Sequence, residues 1–215
     1  MDKVKIGFVG SGFMGQNAHM FNYAALAEEG KCEIVALAEP RTELAKRVAA
    51  RYGIPRLYNN HLELLANEKV DAIVASQPYQ RHSVLLPDIL RAGVPVFTEK
   101  PLSLSVEAGE ALVRLGERSG TLHMVGYHKR SDPAMEYAKR DISEWQRSGE
   151  YGVLRFVRVS MPPGNWTGGI ERALSTDEPN APSDWEGNPA GMSEEEAKSY
   201  DWFVNYYIHQ VNLIR

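Results

Sequence analysis

Short apolar runs alternate with longer amphipathic stretches from the first residues of the chain. Val4 to Val9 is apolar enough for a buried strand and ends in glycines. Phe13 to Glu29 predicts a helix that stops at Gly30. Cys32 to Ala38 predicts a second strand. Thr42 to Tyr52, rich in Ala, Leu, Lys and Arg, predicts a helix ended by Gly53. The alternation continues with a short helix at His61 to Asn67, a strand at Val70 to Ala75 and a helix at Arg81 to Ala92. A strand at Val94 to Thr98, a helix at Ser105 to Ser119 and a strand at Leu122 to Val125 follow. Strands alternating with helices imply parallel strands joined by crossovers. Nearly continuous apolar strands imply that helices cover both faces. Residues 1–126 are therefore expected to form an α/β, doubly wound Rossmann domain.

The pattern changes after residue 126. Pro133 to Ser148 predicts a helix, and Gly149 to Gly152 a turn. Val153 to Ser160 alternates in the manner of a half-exposed strand, the expected beginning of a second, α+β mixed-sheet domain over residues 127–215. Residues 161–199 are rich in Pro, Gly, Asn, Ser and Asp, a loop of a length that is usually functional or mobile. Asp201 to Arg215 predicts a final helix. One strand and two helices cannot bury a sheet face, so this second unit is expected to be incomplete.

Composition narrows the classes. Hydrophobic residues at 43% and charged residues at 24% suit a globular protein. A net charge of −4 argues against a nucleic-acid surface, which needs a basic stripe. The single cysteine, Cys32, sits in an apolar run and reads as a buried strand residue in a reducing setting. No stretch approaches the roughly 20 apolar residues of a membrane span. A soluble, cytoplasmic protein is expected. The histidines show no metal-ligand spacing, so no metal site is expected.

The first strand leads into Gly10-Ser11-Gly12-Phe13-Met14-Gly15. A G-x-G-x-x-G sequence between a strand and a helix is a dinucleotide cradle. Gly10 permits the tight turn, Gly12 lets backbone approach a pyrophosphate, and Gly15 lets helix and strand pack closely. Phe13 and Met14 open the helix whose N-terminus would face the anion. Glu39, at the end of the second strand, is placed to accept from the adenosine ribose hydroxyls and to repel a 2′-phosphate. This favours NAD, while nearby Arg41 keeps NADP possible.

Further along, the sequence reads Thr98-Glu99-Lys100-Pro101, then Gly126-Tyr127-His128-Lys129-Arg130, then His209-Gln210-Val211-Asn212. With the glycine fingerprint, these segments resemble the glucose–fructose oxidoreductase / inositol dehydrogenase / MocA family. Pro78 and His82 match that family's T-P-x-x-x-H stretch, with Gln77 inserted before the proline. The resemblance implies a nicotinamide-dependent oxidoreductase acting on a sugar, polyol or derivative, and a homo-oligomer in full-length form. It also implies a larger mixed sheet than this chain can supply.

Oxidising a secondary alcohol requires a hydride acceptor and a base for the hydroxyl proton. Lys100 is the expected donor to the substrate oxygen and, with Glu99 and Pro78, part of the cofactor pocket; His82 is expected in that pocket or on a helix surface. His209 is the expected acid/base. Asn205, a candidate catalytic residue that could hydrogen-bond the ring, and Asn212, a candidate substrate contact, share its helix face, at spacings of four and three. Many relatives carry Asp where Asn205 stands, and an amide cannot compensate an imidazolium. Tyr127, His128 and Lys129 are candidates for lining a substrate pocket, with an exposed charge cluster as the alternative. Trp166 is a candidate for stacking on a sugar face, or a loop anchor. Two further readings stay open: a glycoside-cleaving member that uses NAD transiently, and a nucleotide-binding regulator without turnover.

Overall fold

The computed structural model describes residues 3–161, 164–165, 167–169, 172–179 and 184–215. The first strand, β1 (Val4–Val9), is followed by a π-helical segment Gly15–Met20 that runs into α1 (Phe21–Glu28). Then come β2 (Cys32–Ala38), α2 (Thr42–Tyr52), β3 (Arg56–Tyr58), α3 (His61–Asn67) and β4 (Ala72–Ala75). A 3₁₀ turn (Tyr79–Arg81) leads into α4 (His82–Arg91), followed by β5 (Val96–Glu99), α5 (Val106–Ser119) and β6 (His123–Gly126). A second 3₁₀ turn (His128–Ser131) and α6 (Pro133–Ser148) precede the long loop and α7 (Glu194–Ile214).

The six strands pair in parallel in the order β3-β2-β1-β4-β5-β6. The order reverses between β1 and β4. A crevice opens at such a switch point, at the carboxyl ends of the strands.

Both sheet faces are covered, which explains the continuous apolar strands. Side chains alternate across a strand. Val9, Ile73 and Ala75 point into one core with Leu85, Leu86, Ile89 and Leu90 of α4. Ile6, Phe8 and Val74 point into the other with Leu44, Ala45, Val48 and Ala49 of α2. Each of the fully buried leucines contributes about 1.5–3 kcal/mol.

Three elements depart from the sequence reading. The three-residue β3 was not foreseen, being too short to show a period. Residues 153–160, expected as a strand, form no ladder. Among the described residues no strand lies beyond Gly126, so this segment has no edge to pair with, and its Val153 and Phe156 stay exposed. Helix α7 begins at Glu194 rather than Asp201. Ser193 and Glu196 form a reciprocal capping box, and three glutamates face the positive end of the helix.

Candidate active site

The glycine turn sits at the carboxyl end of β1. Gly10 has φ +93°, and a Cβ there would lie 2.3 Å from Gln77 Nε2 and 2.5 Å from Ser76 O. Only glycine fits. A Cβ on Gly15 would press on Gly10 O at 3.1 Å. Above Gly12 the space is open, as an approaching diphosphate requires. Phe13 is exposed and Met14 half-buried where the helix opens. Its first turns are wound as a π-helix, a form that recurs at functional sites.

Glu39 is buried at the end of β2, 3% exposed. Its carboxylate accepts from Ser11 N at 3.0 Å and Ser11 Oγ at 2.8 Å. It also accepts from Arg41 Nε at 2.7 Å and Nη2 at 2.8 Å. Burial pushes its pKa up, but these donors and the Arg41 charge more than reverse the effect and hold it below the usual carboxylate range. The turn and Glu39 together fit the diphosphate and ribose of a dinucleotide, although Arg41 already engages the carboxylate.

At the other end of the crevice, β5 delivers Glu99 and Lys100. Glu99 Oε1 lies 2.7 Å from His19 Nε2. Burial raises the Glu99 pKa; the His19 bond and charge, with Lys100, bring it below the ordinary value. Lys100 Nζ donates to Asn205 O and Asn205 Oδ1, both at 2.8 Å. Burial lowers the lysine's pKa, partly opposed by Glu99. Four residues along α7, His209 meets His128 edge to face, with ring centroids 5.1 Å apart. The His209 pKa is pushed down to about 4, first by burial and then by the positive charges of Lys100, His128 and Lys129.

A family model described as "Oxidoreductase family, NAD-binding Rossmann fold" matches residues 4–127. The chain belongs to this family. It is 27% identical to an inositol 2-dehydrogenase of Rhizobium meliloti, over 80% of this chain and 52% of the relative. It is 27% identical to a levoglucosan dehydrogenase of Pseudarthrobacter phenanthrenivorans, over 86% of this chain and 45% of the relative. The crystal structure of an NAD-binding oxidoreductase from Klebsiella pneumoniae superposes with a TM-score of 0.59 at 29% identity, covering 66% of this chain and 39% of that one. The chain spans about half the length of the curated relatives it matches.

Within the oxidoreductase fold, Lys100, Glu99, His128, Lys129, Asn205 and His209 share one neighbourhood, while Gly10, Gly12, Glu39 and Arg41 gather at the β1–β2 end. Three residues sit differently from their expected roles. His82 is fully buried, and its Nδ1 donates to Leu102 O at 3.1 Å. It braces the turn after Lys100 rather than facing the crevice. Asn205 was expected beside the His209 ring, but its side-chain oxygen serves Lys100 instead. Asn212 accepts from Arg130 Nε at 2.5 Å. Pro78 is exposed, just before the 3₁₀ turn at Tyr79, and Tyr127 is half-buried against the Leu102 backbone. Trp166 lies outside the described residues.

The sequence reading missed Gln16, His19 and Ser11. Gln16 is 1% exposed and holds Ser11 O at 2.7 Å. Its signal, a polar residue just past the fingerprint on the buried side of a helix, was present but unread. Among the described residues, no group of three His, Cys, Asp or Glu could hold a metal, and no helix is long and apolar enough to cross a membrane.

Proposed function

We propose that this chain carries the cofactor site and the catalytic end of an NAD-dependent oxidoreductase acting on a secondary alcohol of a sugar or polyol. The observation that carries this reading is Lys100 at the carboxyl edge of β5, bonded through two of its protons to Asn205 beside a neutral His209. The third ammonium proton is left for a substrate oxygen. His209, deprotonated near neutrality, accepts the hydroxyl proton. When bound, the nicotinamide ring supplies the hydride acceptor. The substrate class follows from the names of the similar inositol and levoglucosan dehydrogenases.

NAD is favoured over NADP, because an ionised Glu39 opposes a 2′-phosphate and Arg41 is already neutralised by it. For a ribose diol to reach Glu39, part of the Arg41 fork must turn away. We place the division between the nucleotide unit and the substrate unit near Gly126, and we take full-length oligomers and a cytoplasmic setting as part of the same reading. The regulator reading is weaker, because a protein without turnover has no need of a buried lysine held beside a neutral histidine.

The test is NADH formation by full-length protein on a panel of polyols, comparing the parent with Lys100→Met. The variant should lose about 10²–10⁴-fold in kcat while binding NAD within about threefold of the parent. Equal turnover by the two proteins would dismiss Lys100 and the reading built on it.

A further inference from the structure

The long loop returns to the nucleotide end of the crevice and is tied down there. The two ends of the buried Gln16 amide both read the backbone of Leu174. Nε2 donates to Leu174 O at 3.0 Å, and Oε1 accepts from Leu174 N at 2.8 Å. Arg172 N donates to Asn17 Oδ1 at 2.9 Å. Leu174 itself packs on the core formed with α2. At the far end, the Glu178 carboxylate accepts from Glu43 N at 3.1 Å and Leu44 N at 3.0 Å, at the start of α2. Arg47 Nη1 holds Ser175 O at 2.8 Å. So many bonds at both ends fix residues 172–178 as a strap across the mouth of the β1–β2 crevice.

The strap leaves a space beneath it. A cavity of about 320 Å³ lies between Ala173–Thr176 on one side and Ser11, Gly12, Phe13, Arg41 and Leu44 on the other. That volume is at the lower end of small-ligand sites. In a doubly wound fold, the crevice beside the acid at the end of β2 takes the adenosine half of a dinucleotide.

We infer that the strap is the outer wall of the adenosine subsite, with Gln16 and Glu178 as its positioning residues. The strap senses the adenosine half of the cofactor and not its nicotinamide half. A dinucleotide bound under it leaves only when the strap lifts. This rests on the cofactor reading above.

Three probes separate the halves: NAD, AMP and nicotinamide mononucleotide. Trypsin cleavage after Arg172 reports whether the strap is seated. In the parent full-length protein, saturating NAD or AMP should slow that cut about tenfold or more, and nicotinamide mononucleotide should not. Glu178→Gln weakens the far anchor without touching the glycine turn. It should raise the Kd for NAD and AMP roughly three- to tenfold, leaving nicotinamide mononucleotide unchanged. Gln16→Leu should do the same and also speed the cut in the free protein. If NAD binds but neither the cut nor the Glu178→Gln affinity for AMP responds, the strap assignment fails alone. If the parent binds none of the three probes, the cofactor reading fails, and the strap with it.

Discussion

At the scale of single residues, the feature with most chemical consequence is Asn205. Its amide satisfies Lys100 but brings no charge to a cluster holding Lys100, His128 and Lys129. Added to burial, the largest cause, this leaves a histidine at about 4, deprotonated near neutrality but a weaker base than an ordinary imidazole. Asn205→Asp would place a carboxylate against the Lys100 ammonium and close to His209. Both groups should then titrate higher. The acid limb of the kcat profile for polyol oxidation should move up by about one pH unit, with kcat near neutrality rising severalfold. An unmoved profile in a folded variant would show that His209 is not the group being titrated. The glycine turn, Glu39 and Lys100 could all be read from sequence, because each is forced by backbone geometry or by position at a strand end. Asn205 as the partner of Lys100 could not, because the two are brought together only by the packing of α7 over β5.

At the scale of elements, α7 matters most, since it carries the two polar groups of the site across the sheet edge. Contacts of three residues pin its middle. Asp201 accepts from Gln80 Nε2 at 2.8 Å and from the Tyr79 hydroxyl, Tyr200 donates to Leu104 O at 2.9 Å, and Asn205 meets Lys100. Its first turn depends on the capping box instead. Ser193→Ala should cost about 1 kcal/mol. Hydrogen exchange should show lost protection over residues 194–199 while 203–209 stay protected. Uniform loss along the helix would mean that the tertiary pins do not act independently of the cap. The hydrophobic pattern foretold the middle of this helix and not its start, because the opening acidic turn has no apolar stripe and is fixed by caps alone. For the same reason the alternation at 153–160 misled: a period of two describes a strand only where a neighbouring strand exists to receive it.

At the scale of the whole molecule, the chain beyond β6 meets the nucleotide unit along the carboxyl edge of the sheet. Glu178 caps α2. Glu186 accepts from Ser105 N at 2.7 Å and Leu104 N at 3.2 Å before α5. Burial of histidines in this fold has a cost in acid. His209 on α7 and His123 on β6 are both pushed down to about 4 by burial, from an ordinary value of 6.5. Between those values the unfolded chain binds protons that the folded chain refuses, so stability rises with pH across this window. The contribution is complete above about pH 6.5 and is lost as pH falls through about 4. Glu39 and Glu99, both held below the usual carboxylate range, extend the loss further into acid. The urea midpoint should therefore be flat from pH 8 to 7 and fall progressively from 6.5 to 4. His123 also bonds Thr98 Oγ1 at 2.9 Å, so replacing it by Gln preserves a polar partner while removing the titration. A His123→Gln, His209→Gln double variant should lose the part of the slope between pH 6.5 and 4 that these two rings supply, keep the part due to His82 and His128, whose pKa values burial also lowers, and keep the steeper carboxylate-driven fall below it. A double variant with the parent's slope in that window would place the acid sensitivity elsewhere and overturn the assignment to these two rings.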